Sequence, residues 1–318
     1  MDAVITWVDG SDPAHQLKLR RHLDGCIETP ESSASTRFAD NGEIEFSVRS
    51  LIRFAPWVDN IYIVTDQQTP HFYSNSTDQW LLEKIKIVDH QVLFSGYSHA
   101  LPVFNSLSIE ALLWNIPGLS DDFIYLNDDM MLIRPVPVSA FRTANEYILK
   151  GKLRRKKHRK LFSQLKKLWP YANNKRTGYR KIQEKCAELI GFNDYFIDLP
   201  HCPHILNCSA LKNFFTQNLS LLEVTLGHKF RDPEQVWSVS LFCHQLLLDQ
   251  TARIDNQFKT VNIKADRYSL KKVQRILGSA ESSLENYFLC VQSLDMANTA
   301  CQEFIKAWMA KRLLADNS

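Results

Sequence analysis

The sequence predicts an α/β fold: a Rossmann-like, mostly parallel sheet flanked by helices, with a basic helical insertion and a helical C-terminal region. Two observations carry this. The first 135 residues alternate short apolar runs with helical periodicity four times, the pattern of parallel strands joined by crossover helices. Three of those runs end on acids, at Asp9, Asp66 and Asp128-Asp129, and ligands of open α/β sheets gather at the carboxyl ends of strands. At 318 residues, 45% hydrophobic and 23% charged, the chain has a globular composition and enough length for one large domain or two modest ones.

In order, residues 3–8 form a strand-like run that ends in Asp9-Gly-Ser-Asp-Pro13. Gly10 permits a positive φ or a close backbone approach, and Ser11 or Asp12 can cap the helix that Pro13 begins. Asp9, directly at the strand end, suits a ligand contact. Residues 14–42 are polar, with a loop at 31–36. Apolar residues at 44, 48, 51, 52 and 54 mark a helix started by Asn41-Gly42 and stopped by Pro56. Arg49 within it either points at an anion or snorkels to the surface. Strands follow at 60–66, with the turn Gln67-Gln68-Thr69-Pro70, and at 84–90. Residues 101–106 lead into a helix over 107–114, placing Asn105 and Ser106 at its anion-facing N-terminus. Pro117-Gly118 closes that helix, and a buried strand follows at 123–126.

This strand stops at Asn127-Asp128-Asp129, and apolar character resumes at Met130. Adjacent carboxylates at the end of a buried strand are unfavourable unless a positive group sits against them. Mg²⁺ or Mn²⁺, which prefers carboxylate oxygen and shares phosphate ligands, is the natural candidate. The plainer alternative is turn and N-cap chemistry. No Gly-x-Gly-x-x-Gly fingerprint or P-loop occurs, which argues against a dinucleotide oxidoreductase or a P-loop kinase.

Seven cysteines, an odd number without a Cys-x-x-Cys pair, argue against a disulfide framework and for a reducing compartment. The N-terminus lacks a signal-peptide pattern, and no apolar run reaches the roughly 18 residues that span a bilayer. A cytoplasmic location is expected.

Ile5-Thr-Trp-Val-Asp-Gly-Ser-Asp-Pro13 resembles the first conserved block of the Stealth family of hexose-1-phosphate transferases. Asp40-Asn-Gly-Glu-Ile-Glu-Phe-Ser-Val-Arg-Ser-Leu51 and Ala55-Pro-Trp-Val-Asp-Asn-Ile-Tyr-Ile-Val-Thr-Asp-Gln-Gln-Thr-Pro70 resemble its second block. That block continues in Leu101-Pro-Val-Phe-Asn-Ser106, Ile116-Pro-Gly-Leu119 and Phe123-Ile-Tyr-Leu-Asn-Asp-Asp-Met130. His201-Cys-Pro-His204 is similar to the third block and His228-Lys-Phe-Arg231 to the fourth. His71-Phe72 departs from the Trp-Leu that members often carry after the proline. The family includes bacterial capsule polymerases and the lysosomal-enzyme N-acetylglucosamine-1-phosphotransferase.

The resemblance implies a GT-A-like fold and a phosphotransferase of capsule or surface polysaccharide synthesis. Such an enzyme moves a sugar-1-phosphate, here expected to be an N-acetylhexosamine-1-phosphate, from a UDP-sugar to a glycan or phosphoglycan hydroxyl and releases UMP. Asp128 and Asp129 are then the metal ligands for Mg²⁺ or Mn²⁺. Asp9, Asp129, His201, His204 and Arg231 are the expected catalytic residues, with one of the two histidines as base or phosphate donor. Asp12, Arg49, Asp66, Gln68, Asn105, Asn127 and His228 are the expected substrate contacts. Without the resemblance, two histidines in a Pro-containing turn are more often structural.

Residues 150–185 are densely basic and nearly free of acids, with Leu161, Leu165, Leu168 and Trp169 at helical spacing. An anionic phosphoglycan, the inner-membrane face or nucleic acid would each suit such a stretch, and a solvated helical face is the plain alternative. With a phosphate-containing product, acceptor or peripheral membrane contact is favoured, and no specific nucleic acid is expected. The expected organisation is a nucleotide-sugar-binding half at 1–145, the basic insertion at 146–195, completion of the catalytic domain at 196–260, and a helical region at 261–318. The competing functions are a metal-dependent glycosyltransferase that releases UDP and a non-catalytic glycan- or membrane-binding protein.

Overall fold

The structure, a computed structural model, describes residues 1–23, 38–156 and 178–314. The loop expected at 31–36 and most of the basic stretch lie outside the described residues. The strands in chain order are β1 (Asp2–Thr6), β2 (Ile61–Thr65), β3 (Ile85–Asp89), β4 (Asp122–Asn127), β5 (Met130–Leu132) and β6 (Tyr147–Leu149). Then come β7 (Lys152–Arg155), β8 (Tyr195–Asp198), β9 (His204–Asn207), β10 (Ala252–Ile254), β11 (Lys259–Lys264) and β12 (Asn286–Gln292).

The main sheet runs β3-β2-β1-β4-β9, with β1 to β4 parallel and β9 antiparallel at the edge. Every residue of β2, and β1 up to Ile5, is buried. That is expected of parallel strands covered on both faces and explains their continuous apolar runs. After β3 the chain crosses to the other side of β1 to make β4, so the strand order reverses between β1 and β4. A crevice opens at the carboxyl edge at such a reversal.

A second sheet, β11-β12-β5, has its own core, built from Met131, Ile133, Leu289 and Val291 with the helices Leu270–Ser282 and Thr299–Leu313. Helix α1 (Pro13–Leu23) follows β1, and helix α2 (Glu43–Phe54) joins the two cores. In α2, Ile44, Val48 and Leu51 enter the first core and Phe46 the second. The helix starts after Gly42, whose φ of 87° is a conformation that glycine adopts without steric cost.

Two expected elements differ. The region 261–318 is expected to be helical, but β12 lies within it, between the helices Leu270–Ser282 and Thr299–Leu313. Tyr287 to Val291 is a short aromatic and β-branched run that periodicity alone cannot assign, and pairing between β11 and β5 settles it as strand. The helix expected at 107–114 divides into Ser106–Glu110 and a 3-10 turn, Leu113–Asn115. A further helix spans Ser238–Leu248. The described flanks of the basic stretch are a strand pair, β7 with β8, and the helix Tyr179–Ile190. Among the described residues no helix is long and apolar enough to cross a membrane.

Candidate active site

A cavity of about 510 Å³ opens at the carboxyl edge of the main sheet. Thr6, Trp7 and Asn127 to Asp129 line it from β1 and β4, and Asn105, Ser106 and Arg231 line a second side. Lys264, Arg267 and Gln292 to Asp295 close it from the second sheet. A smaller cavity of about 80 Å³ adjoins it, sharing Ser106, Asn127 and Arg231 and adding Glu110, Tyr179, His201 and His204.

The chain leaves the main sheet at Asn127 and enters the second at Met130, so Asp128 and Asp129 occupy a two-residue crossing. Pairing holds the crossing on both sides. Thr6 lies in register with Asn127, and the Val291 N–H donates to the Asp129 carbonyl (3.0 Å). Asp129 Oδ2 accepts a bond from the Cys290 thiol (3.4 Å), whereas Oδ1 is buried without a hydrogen-bond partner. Burial, helped by the nearby negative charge of Glu43, pushes Asp129 up to about 6. Burial and then the charges of Asp129, Glu43 and Asp40 hold Asp128 well above the carboxylate range. These carboxylates resist joint ionisation, and Asp129, one oxygen of which is unpartnered, lines the cavity. An all-oxygen donor set of this kind fits a hard divalent cation, whose charge would reverse both shifts. Among the described residues, the three-ligand set with all its atoms within 4.8 Å lies elsewhere, at His228, Asp232 and Glu234.

Opposite them, Arg231 Nη2 donates to Ser106 Oγ (3.1 Å), and its Nε is buried without a partner. Glu110, fully buried near it, accepts the Trp237 indole N–H (2.5 Å). Burial pushes Glu110 up to about 7, although Arg231 acts against that rise. His201 stacks on Tyr179 with ring centroids 4.7 Å apart. Burial, then the charges of Lys264 and Arg231, lower its pKa and keep the imidazole neutral. His204 Nε2 donates to the Pro200 carbonyl (3.0 Å), and burial pushes this ring down to about 4.

The remaining expected site residues divide. Asp66 lines the cavity but already holds Lys18 Nζ with both oxygens at 3.0 Å. Asn105 lines it while capping the Ser108 N–H and donating to the His228 carbonyl (2.8 Å), which ties the two halves together. Asn127 Oδ1 accepts from the Tyr125 hydroxyl (2.9 Å). Asp9, Asp12, Arg49, Gln68 and His228 line neither cavity. Asp9 Oδ1 accepts from the Ser11 N–H and hydroxyl, and Asp12 caps the His15 N–H (2.7 Å), so both follow the turn-and-cap alternative. Gln68 clamps the Asp9 backbone through two 2.8 Å bonds. Arg49 pairs with Glu45 on its own helix (2.8 Å). His228 faces Asp232 and Glu234.

Sequence reasoning passed over Glu43, Glu110, His15, His90, Lys264 and Arg267. Glu110 had a signal, as a lone acid in the apolar stretch 107–113. Lys264 and Arg267 had none, because only pairing of β12 with β5 brings their segment to the cavity.

The Stealth conserved-region-1 model matches residues 1–24, and the conserved-region-2 model matches residues 37–149. An exopolysaccharide phosphotransferase of Streptomyces coelicolor is 42% identical over 148 residues, 46% of this chain and 26% of that protein. A capsular polysaccharide phosphotransferase, cps1A of Actinobacillus pleuropneumoniae, is 40% identical over 147 residues, 46% of this chain and 39% of its own length. A second Streptomyces coelicolor exopolysaccharide phosphotransferase is 33% identical over 256 residues, 80% of this chain and 40% of its own. The chain thus spans less than half the length of each of these relatives. The solved galactosyltransferase LgtC, in complex with donor and acceptor sugar analogues, aligns with a TM-score of 0.46 at 10% identity, covering 100% of this chain and 98% of that one. The chain carries conserved regions 1 and 2 of the Stealth proteins and is related through them to the polysaccharide phosphotransferases.

Proposed function

We propose that this chain transfers a sugar-1-phosphate from a UDP-sugar to a glycan hydroxyl, releasing UMP and forming a phosphodiester in capsule or surface polysaccharide synthesis. The observation that supports it most is one cavity with carboxylates on one side, including the orphaned Asp129 Oδ1, and the cations Arg231 and Lys264 on the other. A cation-seeking wall facing an anion-seeking wall suits a metal-bound diphosphate. The names of the relatives add support.

Asp128 and Asp129 would hold Mg²⁺ or Mn²⁺, which when bound neutralises charge on the diphosphate. Arg231 directs its planar fork at the transferred phosphoryl group. His201, neutral and unencumbered by the carbonyl bond that ties His204, takes the proton of the attacking hydroxyl. The acceptor oxygen bonds to the β-phosphorus, and the bond from that phosphorus to the bridging oxygen breaks. UMP leaves with the electron pair, and the sugar C1–O bond survives. Asp66 and Asn105 serve the nucleotide or sugar side, while Asp9, Asp12 and Gln68 shape the strand end beneath it. The basic stretch 150–185 supports contact with an anionic glycan or membrane surface.

The test is incubation of the protein and Mg²⁺ with UDP-N-acetylhexosamine and a glycan primer, followed by nucleotide analysis and ³¹P NMR. UMP with a new phosphodiester signal is expected. UDP without that signal would replace this function with glycosyl transfer.

A further inference from the structure

Helix α1 has one buried residue, and it is not apolar: His15, 4% exposed. Both of its ring nitrogens are buried without hydrogen-bond partners. His90, at the end of β3 and 6% exposed, likewise has an unpartnered Nδ1. Both rings line the large cavity beside Asp66, on the β2–β3 side, away from Asp128 and Asp129. Burial lowers the pKa of both rings, that of His90 to about 4, so neither is a cation that would attract phosphate. Lys18 neutralises Asp66 beside them. Aromatic walls enclose the place: Phe38 and Phe104 stand 5.4 and 5.7 Å from the His15 ring, and Phe104 stacks on Phe230 at 5.5 Å.

Unpaired buried polar atoms are costly, and native structures leave few of them. A neutral imidazole presents one N–H donor and one lone-pair acceptor, and the tautomer adapts to its partner. Two such rings, one of them flanked by Phe38 and Phe104, offer donors and acceptors to the edge of a flat, uncharged ring, with aromatic surface for its face. We propose that His15, flanked by Phe38 and Phe104, and His90 form a base-reading subsite for the pyrimidine ring of the donor nucleotide. The proposal rests on the phosphotransferase reading for the nature of the donor, and it adds which residues read the base. The diphosphate then extends from β2 and β3 towards the crossing at Asp128 and Asp129, as the shared cavity requires.

The test measures binding of UDP and of inorganic pyrophosphate, each with Mg²⁺, by calorimetry on the wild type, His15→Phe, His15→Asn and His90→Leu. The wild type should bind UDP more tightly than pyrophosphate. Each variant should lose about tenfold or more in UDP affinity, the effect of one or two hydrogen bonds, with pyrophosphate binding unchanged. Unchanged UDP binding in the variants, equal loss of both ligands, or no wild-type preference for UDP would each overturn the subsite. If UDP binding follows the expected pattern but no UMP is formed in the transfer assay, the subsite stands and the phosphotransferase reading falls.

Discussion

Asp129→Asn should make the metal-free protein more stable at pH 8 while abolishing transfer. Burial raises the Asp129 carboxyl from an ordinary 3.8 to about 6, which corresponds to a cost on the order of 3 kcal/mol for the ionised form in the fold. Between those two values the folded state binds more protons than the unfolded state. Stability therefore falls as pH rises through the window and stays low above it. The amide carries no charge to desolvate and keeps nearly the same shape, so it removes that cost while its carbonyl oxygen can still accept from the Cys290 thiol. Urea unfolding at pH 8 should show Asp129→Asn more stable than wild type, with the gain shrinking towards pH 4, where the wild-type carboxyl is already protonated. Mn²⁺ or Mg²⁺ should stabilise wild type at pH 8 and leave the variant nearly unmoved. A variant destabilised equally at both pH values, or a wild type indifferent to divalent cations, would refute the reasoning.

His201→Ala should reduce transfer by about 10²–10⁴-fold with little change in melting temperature, the scale of a lost general base. The wild-type rate should rise with pH through an inflection below 6.5, because burial and neighbouring cations lower this imidazole; rates flat across pH 5–7 would count against it. His204→Ala should instead cost about 1–3 kcal/mol in a denaturant melt, since it removes a buried ring and its bond to the Pro200 carbonyl, which keeps only the Cys202 N–H. Arg231→Lys should keep the charge yet lose most of the transfer rate in the UMP assay, because an ammonium cannot reproduce the planar fork or the reach to Ser106. Gly10→Ala should destabilise by about 1–3 kcal/mol in the same melt, because a Cβ there would stand 2.4 Å from the Phe38 Cβ and carbonyl oxygen.

The parallel sheet was legible because its cause is local. Fully buried strands must be apolar throughout, and the acids that end them mark the carboxyl edge. Grouping Asp128 and Asp129 with Arg231 and His201 was reachable only through the family resemblance, since these residues lie far apart along the chain. Asp9 and Asp12 carry the composition of ligand residues, and one oxygen of each accepts from the turn or the helix start. Arg49 sits amid apolar neighbours yet turns back to Glu45.

By itself, the sequence determined the alternation of elements, the position of the carboxylates at strand ends and the kinship of residues 1–149, because each of these is written in contiguous residues. Tertiary structure decided the rest. It made residues 286–292 a strand, used that strand to close the cavity and set Cys290 on Asp129. By burial it also chose which histidines stay neutral and which carboxylates stay unpaired. Desolvation and strand pairing depend on what the fold brings alongside a residue, and neighbours along the chain do not specify that.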